Sequence, residues 1–403
     1  MNSDLVVIGG GASGFMGAIT AIKSGIRSVV ILESTSKVLE KVRISGGGRC
    51  NITNSCREIP DLVNNYPRGQ KQLISLFNRF STTDAFEWFQ SRGVLLKIEK
   101  DGRVFPCSDS SLDVIKCLRD VAAESGIKVL TNSHVKQISK LNKGFNILIK
   151  GNKSFVSKNI LICTGGHSSG RKLAISLGHS IVKPVPSLFS LSTSEKSLKD
   201  CSGITLNVKA RLTINKKKYN ENGSILITHK GFSGPVILRL SAFSARDLHD
   251  NKYIGDLRIN WLRMNEDEVR RKIDLFKSEN GSKFLLNNKP FNDFPRRLWK
   301  SFLMHENIDN NLRWCELSKQ KKESLLRCLI TKSYSIKSRG PFGEEFVTAG
   351  GVSLKEINFK TMESKICKGL FFAGEILDID GITGGFNFQH CWTSGWIAGK
   401  SIV

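Results

Sequence analysis

No apolar run in this chain reaches the ~18 residues that a membrane span requires. A strand-like run already begins at Leu5, which leaves no room ahead of it for a signal peptide. These two absences predict a cytoplasmic protein without membrane contact. The ten cysteines include no CxxC pair and no Cys/His spacing suited to zinc. A metal site is therefore not expected, and most thiols read as small buried hydrophobes in a reducing compartment. Acidic residues are few, 36 against 61 Lys and Arg, for a formal net charge of +25. Basic clusters such as Lys216, Lys217 and Lys218, or Lys319, Lys321 and Lys322, read either as a solvated surface or as attraction for a polyanion or an anionic substrate. There is no RNA-binding motif and no basic stripe interleaved with aromatics, so nucleic acid is the weaker reading. Internal repeats, low-complexity tracts and heptad arrays are missing too.

What is present is a nucleotide-binding geometry at Asp4–Glu33. Leu5, Val6, Val7 and Ile8 read as a buried parallel strand, and Ala18, Ala21 and Ile22 recur afterwards at helical spacing. Between them stands Gly9-x-Gly11-x-x-Gly14. Gly9 allows the tight turn, Gly11 lets backbone approach a pyrophosphate, and Gly14 lets the helix pack on the strand. With Ser13, these residues are the expected pyrophosphate cradle, because helix N-termini attract anions. Glu33 ends the next strand, nineteen positions beyond Gly14, close to the ~20 expected of a carboxylate that binds a free ribose. Val135, just past a strand at Lys128–Leu130, is expected to offer backbone to adenine. The motif alone leaves FAD and NAD open.

Further along, Lys41–Asn54 is a glycine-rich polar loop, Leu73–Phe89 and Ser111–Ala123 have helical periodicity, and Phe145–Ile149 with Ser154–Val156 alternate as a hairpin. Asn159–Cys163 reads as a buried strand returning to the parallel sheet. After Pro184 and Pro186 come short alternating segments, Leu206–Ile214 and Ser224–Thr228, and then helical stretches at Asp267–Phe276, Phe294–Met304 and Leu317–Ile330. This charged middle region reads as an inserted domain of antiparallel barrel or sandwich plus helices. Gly369–Ala373 is the last strand and Gln389–Ile402 the closing helix. Three glycine-rich loops, Ser45–Asn54, Thr164–Gly170 and Gly374–Asn387, converge on one sheet edge if both chain ends share the sheet. That distribution favours FAD over NAD, since the flavin end needs backbone from distant segments.

Lys41 with SGGGRCNITN (Ser45–Asn54), GRVFPCSDSSLDV (Gly102–Val114), THKGFSGPVIL (Thr228–Leu238), VTAGGVSLKEI (Val347–Ile357), TMESK (Thr361–Lys365) and GLFFAGEILDIDGITGGFNFQHCWTSGWIAG (Gly369–Gly399) resemble the flavoprotein family that includes aminoacetone oxidase and a bile-acid dienone reductase. The resemblance spans nearly the whole chain. It implies an α/β fold: a Rossmann-like, glutathione-reductase-type FAD-binding domain built from 1–186 and 344–403, interrupted by an insert at 187–343. Within the insert a β-barrel is expected at 187–255 and 331–343, and helices at 256–330. The resemblance also implies cofactor contacts from Lys41, Ser45, Gly46, Gly48, Arg49, Cys50 and Asn51, from Thr164 and Gly165, and from Gly374, Glu375, Asp378, Gly384, Gly385, Phe386 and Asn387. The sequence departs from the family pattern in the short stretch His167–His179 and in Phe386, where tyrosine is usual. Arg49 suits phosphate or an anionic substrate through its fork of donors. The turn Gly384–Asn387 aims the amino end of the closing helix at the flavin pyrimidine edge, where reduction places negative charge.

No acid–base dyad stands out, so no catalytic side chain is assigned; the flavin carries the hydride chemistry and the protein positions and tunes it. The first functional reading is an FAD-dependent oxidoreductase passing hydride between a small-molecule substrate and flavin N5. No second GxGxxG occurs in the insert, so NAD(P)H is expected only as a transient donor. Two alternatives stand beside it, a flavoprotein that acts on tRNA and a non-enzymatic flavin redox sensor. Substrate and oligomeric state are not legible.

Overall fold

The computed structural model describes residues 2–340 and 347–402. The expected domain boundary between 343 and 344 and the two terminal residues lie outside the described residues. The chain divides into two compact units, Met1–Val185 with Val347–Val403, and Pro186–Phe346.

The first unit is an α/β Rossmann-like fold. Its core is a nine-stranded sheet in which strand β1 (Asn2–Ile8) lies between β2 (Val29–Leu32) and the strand Ser154–Ile162, parallel to both. Lys128–Leu130 extends the sheet beyond β2, and Leu370–Phe372 extends it beyond Ser154–Ile162, again in parallel. Leu5, Val6 and Val7 are fully buried, as a continuous apolar run covered on both faces must be. The chain leaves β1 toward β2 and later returns on the other side, so the carboxyl end of β1 is a topological switch point, where open α/β sheets bind ligands.

Ser154–Ile162 is one continuous strand where sequence periodicity indicated two. Its first half pairs antiparallel with Phe145–Ile149 and its second half runs parallel to β1, so a half-exposed and a fully buried pattern share one backbone. The periodic stretch Leu73–Phe89 splits into the helices Gln70–Phe77 and Thr82–Gln90. Ser81 starts the second with a capping box to Asp84, a cap signal that outweighed the continuing apolar period.

The helix α1 (Ala12–Lys23) and the closing helix Phe386–Ser401 cross at very short range. A Cβ on Gly395 would stand 2.5 Å from the Ser13 carbonyl oxygen, and one on Gly399 would stand 2.5 Å from that of Gly17. This crossing fixes the carboxyl-terminal segment onto the amino-terminal βαβ unit. Arg68 and Asp380 form a second tie, a buried ion pair between the start of the helix Gln70–Phe77 and the loop before the closing helix.

The second unit holds a closed six-stranded barrel, in the order Leu191–Thr193, Gly231–Ser233, Lys217–Thr228, Thr205–Ile214, Gly255–Asn260, Ser333–Arg339. The strand Gly255–Asn260 carries the barrel past residue 255, where the sequence placed the helical part, and pairs with both Thr205–Ile214 and Ser333–Arg339. Pro235–Phe243 and Ala245–Asp250 are helices. The helices Glu266–Glu279, Arg296–His305 and Lys319–Ile330 complete the unit, around the buried Trp261, Trp299 and Trp314. Among the described residues no helix is long and apolar enough to cross a membrane.

The helix crossing leaves no room for a side chain against backbone that cannot move aside. Gly399→Val is expected to cost about 3 kcal/mol, read as a lowered urea midpoint. An unchanged midpoint would show that the two helices are free to separate.

Candidate functional site

A cavity of about 550 Å³ opens at the carboxyl end of β1. One end is lined by Glu33, Ser34, Thr35, Lys37, Ser133, His134 and Val135, its middle by Gly9–Ser13, Thr164 and Gly165, and its other end by Lys41, Glu375, Phe388 and Cys391. Of the residues singled out in the sequence, Gly9, Gly11, Ser13, Glu33, Lys41, Val135, Thr164, Gly165 and Glu375 line it.

The middle is built to take an anion. Gly11 precedes α1 without any side chain capping the helix, so the first-turn amides stay free to face the cavity. A Cβ on Gly11 would meet nothing within 4 Å, and the space comes right up to its backbone. Gly9 and Gly14 serve the turn itself, because a Cβ on Gly14 would lie 2.1 Å from the Gly9 carbonyl oxygen. Ser13 Oγ donates to the Ala373 carbonyl at 3.3 Å, tying the turn to the last strand.

Glu33 is held as an acceptor. The Gly10 N–H donates to its Oε2 at 2.9 Å, and the Thr35 N–H and Oγ1 each donate to its Oε1 at 2.9 Å. At the other end Lys41 Nζ pairs with Glu375 Oε2 at 2.7 Å, while the Thr348 N–H donates to Glu375 Oε1 at 2.9 Å. These residues suit FAD: open glycine backbone and free amides for the pyrophosphate, a fixed carboxylate for the ribose, and an apolar and charged far end for the ring system.

The remaining sequence candidates lie off the cavity wall, but they are gathered by one another. Asn51 accepts from the Gly385 N–H at 2.8 Å through its side-chain oxygen and donates to the Thr53 carbonyl at 3.0 Å. Asn54 donates to the Gly384 carbonyl at 3.0 Å, and Thr53 Oγ1 donates to Gln389 Oε1 at 2.6 Å. The loop holding Ser45, Gly46 and Gly48 is thereby joined to the start of the closing helix. Asn387 clasps Gly381 with two 2.8 Å bonds, and the Phe386 carbonyl accepts from Tyr66 Oη at 2.6 Å. Gly374 lies under Ser13, and the Asp378 N–H donates to the Val352 carbonyl at 3.2 Å.

Arg49 is not at the cavity. Its guanidinium pairs with Glu99 at 2.7 Å and Asp109 at 3.4 Å and stacks on Phe105 at 4.0 Å. Beside it, the cap of the helix Ser111–Glu124 is Ser110, whose side chain accepts from the Leu112 N–H at 3.3 Å.

Burial decides the titratable groups. The thiols of Cys50 and Cys391 are both pushed up to about 12 by desolvation and stay protonated at neutral pH. Burial pulls His390 down to about 4. Its Nε2–H donates to the Gly374 carbonyl at 3.3 Å, and its Nδ1 has no partner among the described residues. No group of three or more His, Cys, Asp or Glu is placed to hold a metal ion among the described residues.

Sequence reading missed Phe388 and Cys391, which line the cavity from the first turns of the closing helix. Their i, i+3 spacing puts them on one face and could have flagged them. Ser34–Lys37 and His134 adjoin residues already chosen. For Arg68 and Tyr66, bonded to partners more than 300 positions away, no local signal exists.

This fold and this cavity are those of a flavoenzyme. The model of the HI0933-like protein Rossmann domain matches residues 3–401, and the chain belongs to that family of FAD-dependent oxidoreductases. It is 29% identical over 409 residues to 3-dehydro-bile acid delta(4,6)-reductase of Clostridium scindens, covering 98% of each chain. It is 26% identical over 419 residues to ribosomal RNA dihydrouridine synthase of Haemophilus influenzae, covering 99% of this chain and 98% of that one. A 3-ketosteroid-delta4-(5alpha)-dehydrogenase structure from Rhodococcus jostii shares the fold at a TM-score of 0.52 and 12% identity, covering 100% of this chain and 96% of that one.

Two outcomes follow from the site. Glu33→Ala is expected to weaken FAD about ten- to a hundredfold, the worth of ~1.5–3 kcal/mol for hydrogen bonds to a charged group; fluorescence titration measures it, and an unchanged Kd would remove Glu33 from the site. Because the native state holds His390 neutral and the unfolded chain protonates it near its ordinary 6.5, stability present at neutral pH is lost as the pH falls from 6.5 toward 4. That loss is roughly 3 kcal/mol. His390→Gln is expected to flatten the urea midpoint across this window relative to the parent, and equal slopes in the two proteins would contradict it.

Proposed function

We propose that this chain is a reductase that adds hydride to a carbon–carbon double bond conjugated with a carbonyl, and that its substrate is a uracil base within RNA. The names of both relatives denote that reaction class, one on a 3-oxo steroid carrying ring double bonds and one on uridine. The observation that carries the RNA half is charge. A surplus of 25 positive charges exceeds what one small substrate needs, and it complements a polyphosphate.

Bound FAD supplies the hydride acceptor and donor. The chain's own residues do the rest. Gly9, Gly11, Ser13 and the amino end of α1 hold the pyrophosphate, and Glu33 takes the ribose hydroxyls. Lys41 and Glu375 neutralise each other at the ring end, so neither places net charge there. The amino end of the closing helix, held by Asn51 and Asn387, contributes positive potential to a site that gains negative charge on reduction. NAD(P)H serves as a transient donor in this reading, since the chain carries one dinucleotide fingerprint. The 29% identity to the bile-acid enzyme favours a second substrate reading, an anionic steroid-like enone.

Anaerobic incubation of FAD-loaded protein with NADH or NADPH and either unmodified rRNA transcripts or a 3-oxo-4,6-diene bile acid decides between them. Mass spectrometry of digested RNA is expected to show uridine gaining two hydrogens. Reduction of the steroid with RNA untouched would overturn the RNA reading, and reduction of neither would overturn the reaction class.

A further inference from the structure

The barrel turns an unusual face to solvent. Along Thr205–Ile214 the alternation buries Val208, Ala210, Leu212 and Ile214 and exposes Asn207, Lys209 and Arg211. Strand register then sets Arg211 directly opposite Arg258 on one side and Asn220 on the other. In the rows beside it, Lys209 stands between Asn222 and Asn260, and Thr213 between Lys218 and Asp256. Four exposed cations thus share one sheet face with carboxamides, and Asp256 is the acid among these paired positions.

Among the described residues none of Lys209, Arg211, Lys218 and Arg258 makes an ion pair, although Arg211 Nε donates to Asn220 Oδ1 at 2.7 Å. Elsewhere in this unit Lys217 pairs with Asp247 at 2.8 Å, Arg239 with Glu221 at 2.6 Å and Lys322 with Asp274 at 2.6 Å. Like charges directly across a sheet destabilise it, so the Arg211–Arg258 pair adds nothing to the fold by itself. An external anion between the two guanidiniums would turn repulsion into two charge-assisted contacts.

The shape of the ligand follows from the lattice of the sheet. Neighbouring strands lie ~5 Å apart and successive outward residues ~7 Å apart, which spreads the cations over an area suited to several phosphates. The outward positions of these strands carry no aromatic ring, so the face offers no platform for stacking unpaired bases. Cations and carboxamides on this face match the phosphates and 2′-hydroxyls of a duplex, which proteins read by shape.

We propose that this outer face of the barrel docks the phosphate backbone of an RNA helix. The proposal rests on the RNA reading above. It is tested with the full-length FAD-loaded protein and a base-paired rRNA fragment, comparing the parent with Lys209→Glu/Arg211→Glu/Arg258→Glu and with Lys143→Glu/Lys150→Glu/Lys153→Glu, a reversal of equal size at exposed lysines of the first unit. The barrel variant is expected to retain its flavin, to lose at least tenfold in RNA affinity, and to show a salt dependence shallower by about one unit of slope per lost phosphate contact. The milder Arg211→Gln/Arg258→Gln is expected to lie between it and the parent. Equal affinity and slope in the barrel variants and the parent would overturn the docking face alone, as would an equal loss in the first-unit control. A parent that binds no RNA at moderate salt would overturn the RNA reading and the docking face together.

Discussion

The close crossing of α1 with the closing helix is the constraint on which the site depends. Gly395 and Gly399 let two backbones approach where a Cβ would collide with the carbonyl oxygens of Ser13 and Gly17. One helix begins at the glycine turn that faces the cavity, and the other begins at the turn Gly384–Gly385, joined to the loop at Asn51–Asn54. Their crossing therefore sets how far the glycine turn at the start of α1 stands from the turn Gly384–Gly385. A cofactor as long as FAD needs that distance fixed by segments that meet only in three dimensions.

Charge is handled in the same spirit across this unit. Where charge is buried it is paired, as in Arg68 with Asp380, and the buried thiols and His390 are held in their neutral forms. At the glycine turn of the cavity the fixed potential comes from a helix terminus and backbone amides, which neither titrate nor reorganise during a reaction.

The sheet and the glycine turn at the end of β1 were legible because they rest on local rules: an apolar run buried on both faces, a Gly-x-Gly-x-x-Gly turn, and an acid at the end of the second strand. Two barrel strands were legible by alternation, at Leu206–Ile214 and Ser224–Thr228; the short strands Leu191–Thr193, Gly231–Ser233 and Ser333–Arg339 were not, and Gly255–Asn260, with charged Asp256 and Arg258 outward, hid between helical stretches. The expectation for Arg49 did not carry over to the cavity, because its partners Glu99 and Asp109 lie 50 and 60 positions away and no spacing announces them. Tyr66 and Arg68 were invisible for the same reason. Nucleic acid was the weaker reading of the sequence because no RNA-binding motif and no basic stripe interleaved with aromatics stood beside the charge; the similarity to an enzyme named for ribosomal RNA and the cationic barrel face motivate the RNA proposal.

The claim on which everything else stands is that the cavity at the end of β1 holds FAD. The visible absorption spectrum of the purified protein, taken after FAD reconstitution and gel filtration, tests it most directly. A flavin band that co-elutes with the protein, and that releases FAD rather than FMN on denaturation, is the predicted result. A colourless protein, or one that releases only FMN, would contradict the account.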